Sequence, residues 1–255
     1  MRFKVPADAS RLWRSCYRII YAIRPLFCSL QVEGVKNVPP EGGVVLACNH
    51  PGGLDSFVLG FTCPRQVYYM AKRELFNVHP VMTYLLYRIG AFPINRGASD
   101  TAAIEFSIKL VREGRVLGMF PEGTRNRGNP LRRGKSGAVR IAIEADAPVV
   151  PVTVLGIPHL HRHWYNPFRR TRIAVRFGQP FHFSSGTVED VAEYTHEVMR
   201  AMARMMPPEL RGHYSEDEAP AGANSQDSTG GASRRQEGIE APRQGPARPA
   251  KPASP

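Results

Sequence analysis

Five short apolar runs (Val44–Ala47, Gln66–Met70, Ala91–Arg96, Arg115–Phe120 and Pro148–Leu155) alternate with segments whose apolar residues recur at helical spacing. Strand-length apolar runs bounded by turn residues predict buried strands. Such regular alternation from 44 to 155 predicts an α/β fold, a largely parallel or mixed central sheet with helices on its faces. Three of the runs end in polar clusters, NHPGGLD at 49–55, NR at 95–96 and PEGTR at 121–125. In a largely parallel sheet those ends share one edge, where open α/β sheets place their ligands, so three distant segments form a single site.

Within the first cluster His50 precedes a Pro51-Gly52-Gly53 turn, and Asp55 opens the next helix. A neutral imidazole accepts a proton near pH 7, and a carboxylate on its second nitrogen holds the tautomer and stabilises the imidazolium. Residues five apart on one helix diverge by roughly 140°, so the glycines must let His50 fold back toward Asp55. Taken alone, the pair also fits a buried, hydrogen-bonded histidine and a helix-start aspartate.

The rest of the site chemistry is cationic. Arg96, Arg125 and Lys135 are suited to a phosphate, which arginine grips bidentately. The Gly123-Thr124 turn can offer backbone N–H groups to a phosphate or a developing oxyanion. No serine or cysteine stands in a nucleophile-elbow setting. His50 is therefore expected to act on a substrate's own hydroxyl. His159, His161 and His163 alternate but have no acidic or cysteine neighbour, so no metal site is expected.

Around this centre, residues 9–30 predict an amphipathic helix capped by Ser10 and kinked or ended by Pro25. Arg11, Arg14 and Arg18 lie on one side, and Leu12, Trp13, Cys16, Tyr17, Ile19, Ile20 and Ile23 on the other. That pattern suits a helix lying in a membrane interface. Residues 74–89 predict an apolar helix, interrupted by Pro80 and expected to be core. Further strands are expected at 30–33 and 171–177, and a long amphipathic helix at 187–206. No apolar stretch is long enough to cross a bilayer, and the N-terminus lacks a secretory signal pattern. Cys16, Cys28, Cys48 and Cys63 show no metal or disulfide spacing and read as reduced cytosolic thiols.

The chain carries a formal net charge of +12. From Gly212 to Pro255 five basic residues face six acidic ones, so that stretch is about −1 and residues 1–211 about +13. A basic folded region suits nucleic acid, a phospholipid surface or a phosphorylated substrate. The final stretch has almost no large apolar residues and is expected to be disordered. The organisation expected is an interfacial helix at 1–30, a catalytic domain at 31–211 and a tail at 212–255.

A hydroxyl, a phosphate and a basic interfacial helix together describe a lysophospholipid or a glycerol phosphate. Asn49-His50-x4-Asp55, FPINR at 92–96, FPEGTR at 120–125 and APVVPV at 147–152 resemble, in order and spacing, the motifs of the glycerolipid acyltransferase family. Among its members the 1-acylglycerol-3-phosphate acyltransferases look most similar. The resemblance implies that His50 is the general base, Asp55 its orienting carboxylate, and Arg96 and Arg125 phosphate ligands. It further implies that Glu122 with Gly123 holds the glycerol moiety, and that Lys135 matches a basic residue after the third block. Gly52 and Asn95 depart from the pattern, which often has a polar residue and an acid there.

The implied reaction transfers a fatty acyl group from acyl-CoA or acyl-carrier protein to 1-acylglycerol-3-phosphate, forming phosphatidic acid for phospholipid synthesis. It needs no cofactor beyond that donor. The implied location is peripheral, on the cytoplasmic face of the membrane. Two other readings are an acyltransferase for another lysolipid, such as lyso-ornithine lipid, and a non-catalytic basic protein that binds membrane or nucleic acid. The second lacks any helix-turn-helix or RNP-like pattern, so no nucleic-acid partner is expected.

Overall fold

β2 (Val44–Cys48) is buried at every residue, as expected of a central strand covered on both sides. In the computed structural model, residues 11–94, 101–158, 171–183 and 187–215 are described. They belong to one compact unit, Met1–Glu218.

The other strands are β1 (Cys28–Glu33), β3 (Val67–Lys72), β4 (Ala91–Ile94), β5 (Val116–Met119), β6 (Val149–Leu155) and β7 (Thr171–Phe177). They form a seven-stranded sheet in the order β1-β7-β6-β2-β5-β3-β4. β6, β2, β5, β3 and β4 run parallel to one another. β7 is antiparallel to β6, and β1 runs parallel to β7. The sheet is therefore mixed, and its parallel part carries all the motif-bearing strands.

Side chains of β2 alternate between two cores. Val44, Leu46 and Cys48 pack with Leu59 of α2 (Asp55–Thr62) on one face. Val45 and Ala47 face the other, where they join Val111 of α4 (Thr101–Arg112), Ile141 of α5 (Gly137–Glu144) and Val198 of α6 (Val188–Arg204). Thr187 caps α6, and its capping box with Asp190 satisfies the first orphan N–H groups.

Three expectations are corrected. α1 (Arg11–Phe27) continues through Pro25 to Phe27 instead of ending at the proline. A proline in the last turn forfeits only one intrahelical bond. α1 is also tied to the fold: Tyr17 is buried, and its ring lies 5.9 Å from that of Phe61.

The apolar segment 74–89 is not core. It splits into a 3-10 turn at Arg73–Asn77 and α3 (Pro80–Arg88), capped by the His79 side chain. Phe76 is buried, but no residue of α3 is. α3 leads into the edge strand β4, and an all-round apolar pattern does not say which face turns inward.

The packed chain also runs past the expected boundary at 212. Gly212–Tyr214 forms a 3-10 turn, and Tyr214 is buried among Leu131, Met199, Met202 and Met206. One aromatic residue finds a core slot in a stretch whose average composition argues against folding. Residues 1–10 and 216–255, including the Ser10 cap and the expected disordered tail, lie outside the described residues.

Candidate active site

β2 ends at Cys48, paired with Val152 of β6, and its Ala47 lies opposite Met119 at the end of β5. Both polar clusters, 49–55 and 121–125, therefore emerge from adjacent strands at one edge. β4 ends on the same edge, three strand positions from β2 or roughly 14 Å. Arg96 follows it and lies outside the described residues, as do His159, His161 and His163.

The end of β2 is pinned by Asn49. Its Oδ1 accepts from the Val154 N–H at 2.7 Å, and its Nδ2 donates to the Val154 carbonyl at 3.1 Å. The amide side chain thus replaces a strand neighbour for β6 and releases the backbone to turn at His50.

His50 turns its ring toward Asp55, with Nδ1 2.8 Å from Oδ2. Asp55 is fully buried, and its carboxylate also accepts the Gly52 N–H at 2.9 Å and the Ser56 N–H at 2.8 Å. Three hydrogen bonds on one carboxylate fix its orientation. With Nδ1 committed to Asp55, Nε2 is the nitrogen left for a substrate. The imidazole stacks on Phe120 with centroids 4.1 Å apart, and Phe120 stacks on Tyr69 at 6.4 Å.

The backbone of His50 is held from both sides. Its N–H donates to Glu122 Oε1 at 2.9 Å, and its carbonyl accepts the Asn126 N–H at 2.8 Å. The Asn126 Nδ2 in turn donates to both Glu122 oxygens, at 3.2 and 3.0 Å, and the Arg132 N–H reaches Oε2 at 3.4 Å. Glu122 is only 4% exposed. Its carboxylate ties the backbone of the first motif to that of the third, as a strut between them; the contact with the acceptor's glycerol that the resemblance implies would have to be made beside these bonds.

Asn126 is the participant that sequence reasoning missed. The local signal, an asparagine before Arg127 and Gly128, indicates a turn, and the Gly128 N–H does donate to Asn126 Oδ1 at 2.9 Å. Nothing local reveals the bonds to His50 and Glu122.

Two of the three cations expected nearby, Arg125 and Lys135, fall among the described residues. Arg125 is exposed, and a β-carbon placed on Gly53 would lie 3.7 Å from its Cζ, so the guanidinium overlies the glycine turn beside His50. The Lys135 N–H donates to the Pro121 carbonyl at 2.9 Å, and a β-carbon on Gly123 would lie 3.1 Å from Lys135 Nζ. Gly123 has φ +71, a left-handed conformation that glycine adopts without strain. Thr124, next in the turn, is exposed.

Cys48 is the nearest thiol. Burial, and then the carboxylates of Asp55 and Glu122, push its pKa well above the ordinary thiol range. It therefore stays protonated and is a poor nucleophile. Among the described residues no group of three or more His, Cys, Asp or Glu is arranged to hold a metal.

An imidazole braced by a buried carboxylate, an exposed guanidinium over the adjoining glycine turn and a thiol held protonated suit the imidazole, not the thiol, to act on a bound substrate. A model of the acyltransferase family matches residues 29–155. A 1-acyl-sn-glycerol-3-phosphate acyltransferase of Bacillus subtilis (strain 168) is 35% identical over 173 residues, covering 67% of this chain and 83% of that one. The protein of the same name from Borreliella burgdorferi is 33% identical, covering 56% of this chain and 57% of its own. Human 1-acyl-sn-glycerol-3-phosphate acyltransferase beta is 32% identical, covering 73% and 66%. In fold, the 1-acyl-sn-glycerophosphate acyltransferase of Thermotoga maritima superposes with a TM-score of 0.56 at 20% identity, covering 73% of this chain and 76% of that one. The chain belongs to the acyltransferase family.

Proposed function

We propose that this chain transfers a fatty acyl group from an acyl thioester to the free hydroxyl of 1-acylglycerol-3-phosphate, forming phosphatidic acid. The observation that carries the reading is the His50–Asp55 pair at the end of β2 with the Arg125 guanidinium over the adjoining turn. Relatives from bacteria and humans bear the name of that activity.

In the proposed reaction His50 Nε2 accepts the acceptor's hydroxyl proton as its oxygen attacks the thioester carbonyl carbon. Asp55 stabilises the imidazolium so formed. The tetrahedral intermediate collapses by breaking the carbon–sulfur bond, and the departing thiolate takes the proton from His50. The ester is left on the acceptor, and the site's histidine is neutral again. Arg125 grips the acceptor phosphate, with Lys135 adding positive charge across the Gly123 turn and Arg96 as a further phosphate ligand. Gly123 and Thr124 supply the backbone at which the oxyanion or phosphate rests. The donor is acyl-CoA or acyl-carrier protein, and the chemistry calls for no cofactor.

No helix among the described residues is long and apolar enough to cross a membrane. α1 exposes Ile19 and Ile23 along with Arg11 and Arg18, the composition of a helix that lies in an interface. Peripheral attachment to the cytoplasmic face through α1 is part of the proposal.

The test is His50→Ala in purified protein, supplied with lysophosphatidate and acyl-CoA. Transfer should fall by roughly 10²–10⁴-fold, the usual contribution of a general base, while a cooperative melting transition shows that the variant still folds. Full activity in a folded variant would refute the assigned base.

A further inference from the structure

The solvent face of α3 is apolar from Val81 to Tyr87. Val81 is 59% exposed, Tyr84 55% and Tyr87 53%, with Met82 and Leu85 beside them and Val78, 71% exposed, just before the helix. From Leu75 to Tyr87 there is no aspartate, glutamate, lysine or arginine. Exposed Lys72 and Arg73 stand at one end, beside a single exposed acid, Glu74, and exposed Arg88 stands at the other, its guanidinium 5.1 Å from the Tyr84 ring centroid. Isolated exposed apolar residues are ordinary, but a contiguous patch with a polar rim marks an interaction site.

A remote part of the chain presents the same chemistry nearby. Ile89, the residue after α3, packs in one cluster with Tyr17 and Tyr21 of α1 and Phe61 of α2. α1 and the end of α3 are thus neighbours, and both expose apolar side chains next to cations. The Lys72–Val78 end of the patch follows the C-terminal end of β3, the sheet edge that also carries His50.

We propose that the α3 face is a second bilayer-docking surface, separate from α1, which seats the catalytic edge against an anionic phospholipid leaflet. Cations at both ends, an acid-free apolar centre and tyrosines beside it complement anionic headgroups over acyl chains. The net charge of +12 favours the same partner. α3 has nine residues, about 14 Å of helix, and therefore lies in the interface plane instead of spanning it. The choice of a membrane as partner rests on the lipid-acyltransferase reading, but the binding measurement does not require activity.

The experiment uses the full chain with vesicles of phosphatidylcholine alone and of phosphatidylcholine mixed with phosphatidylglycerol. Val81→Ser with Leu85→Ser should weaken partition to the mixed vesicles by at least about tenfold, given half-exposed side chains that lose their burial in lipid. Lys72→Gln with Arg73→Gln should weaken it by roughly 20-fold on the mixed vesicles and leave partition to phosphatidylcholine unchanged. Both pairs should leave transfer to a monomerically dispersed short-chain lysophosphatidate intact and lower it for acceptor held in vesicles. Unchanged partition of the apolar pair overturns the proposal. A change in its assembly mass by light scattering, without a change in partition, also overturns it and assigns the face to a second copy of the chain. If the parent protein binds vesicles but transfers no acyl group in either format, the acyltransferase reading fails while the docking surface stands.

Discussion

Replacing Glu122 with glutamine keeps the shape of the site and removes one acceptor. The carboxylate now receives the His50 N–H on Oε1, the Arg132 N–H on Oε2 and the Asn126 Nδ2 on both. A glutamine can offer its oxygen to the His50 N–H only by turning its NH2 toward Asn126 and Arg132, which are both donors. Asn126 has no ready escape by flipping its amide, because its own oxygen holds the Gly128 N–H. One charge-assisted bond is lost and donors are left opposed in a buried space, which costs about 2–4 kcal/mol. For a folded region of this size that corresponds to a fall in Tm of roughly 5–12 °C.

Because the same oxygen fixes the backbone of the base, Glu122→Gln should also lower kcat, with little change in KM for the acceptor. Calorimetry and steady-state kinetics on the same preparation measure both effects. A raised KM with Tm and kcat unchanged would refute the strut and return Glu122 to the role of an acceptor ligand.

Arg125→Gln should raise KM for the phosphate-bearing acceptor about 10- to 100-fold, the worth of a charge-assisted bond, without moving Tm, since the side chain is exposed. Gly118→Ala would set a β-carbon 2.5 Å from Tyr69 Cε1. The Tyr69 ring would be driven toward Phe120 and the His50 stack, so stability should fall by about 1–3 kcal/mol and activity should fall with it. Hydrogen bonds from the Thr187 backbone and hydroxyl hold Asp190 below the usual carboxylate range. Its folded pKa is depressed, so its contribution is present above the unfolded value near ~3.9 and lost as pH falls through the folded one. Asp190→Asn should therefore flatten the dependence of Tm on pH on the acid side.

Much of this protein is legible in its sequence because the decisive signals are local. Strand-length apolar runs separated by helix-period segments can satisfy their backbones and bury their faces in few ways, and a mostly parallel sheet is the simplest. Once that sheet is granted, strand ends on one edge bring His50, Asp55 and Arg125 together, and the glycines at 52 and 53 permit the turn that the pair needs. Tertiary structure decided what depends on which strands adjoin. Glu122 became a strut because β5 lies beside β2, which put its carboxylate against the N–H of a residue 72 positions earlier. Asn126 gained its role from the same adjacency. α3, apolar on every side, carried no mark of which face would be buried, and its place beside an edge strand left that surface in solvent. Tyr214 sits in a stretch of tail-like composition, yet a pocket among Leu131, Met199 and Met202 keeps it in the fold. Periodicity and turn chemistry are properties of a few successive residues, whereas a hydrogen-bond partner or a buried face is a property of neighbours that only the folded chain supplies.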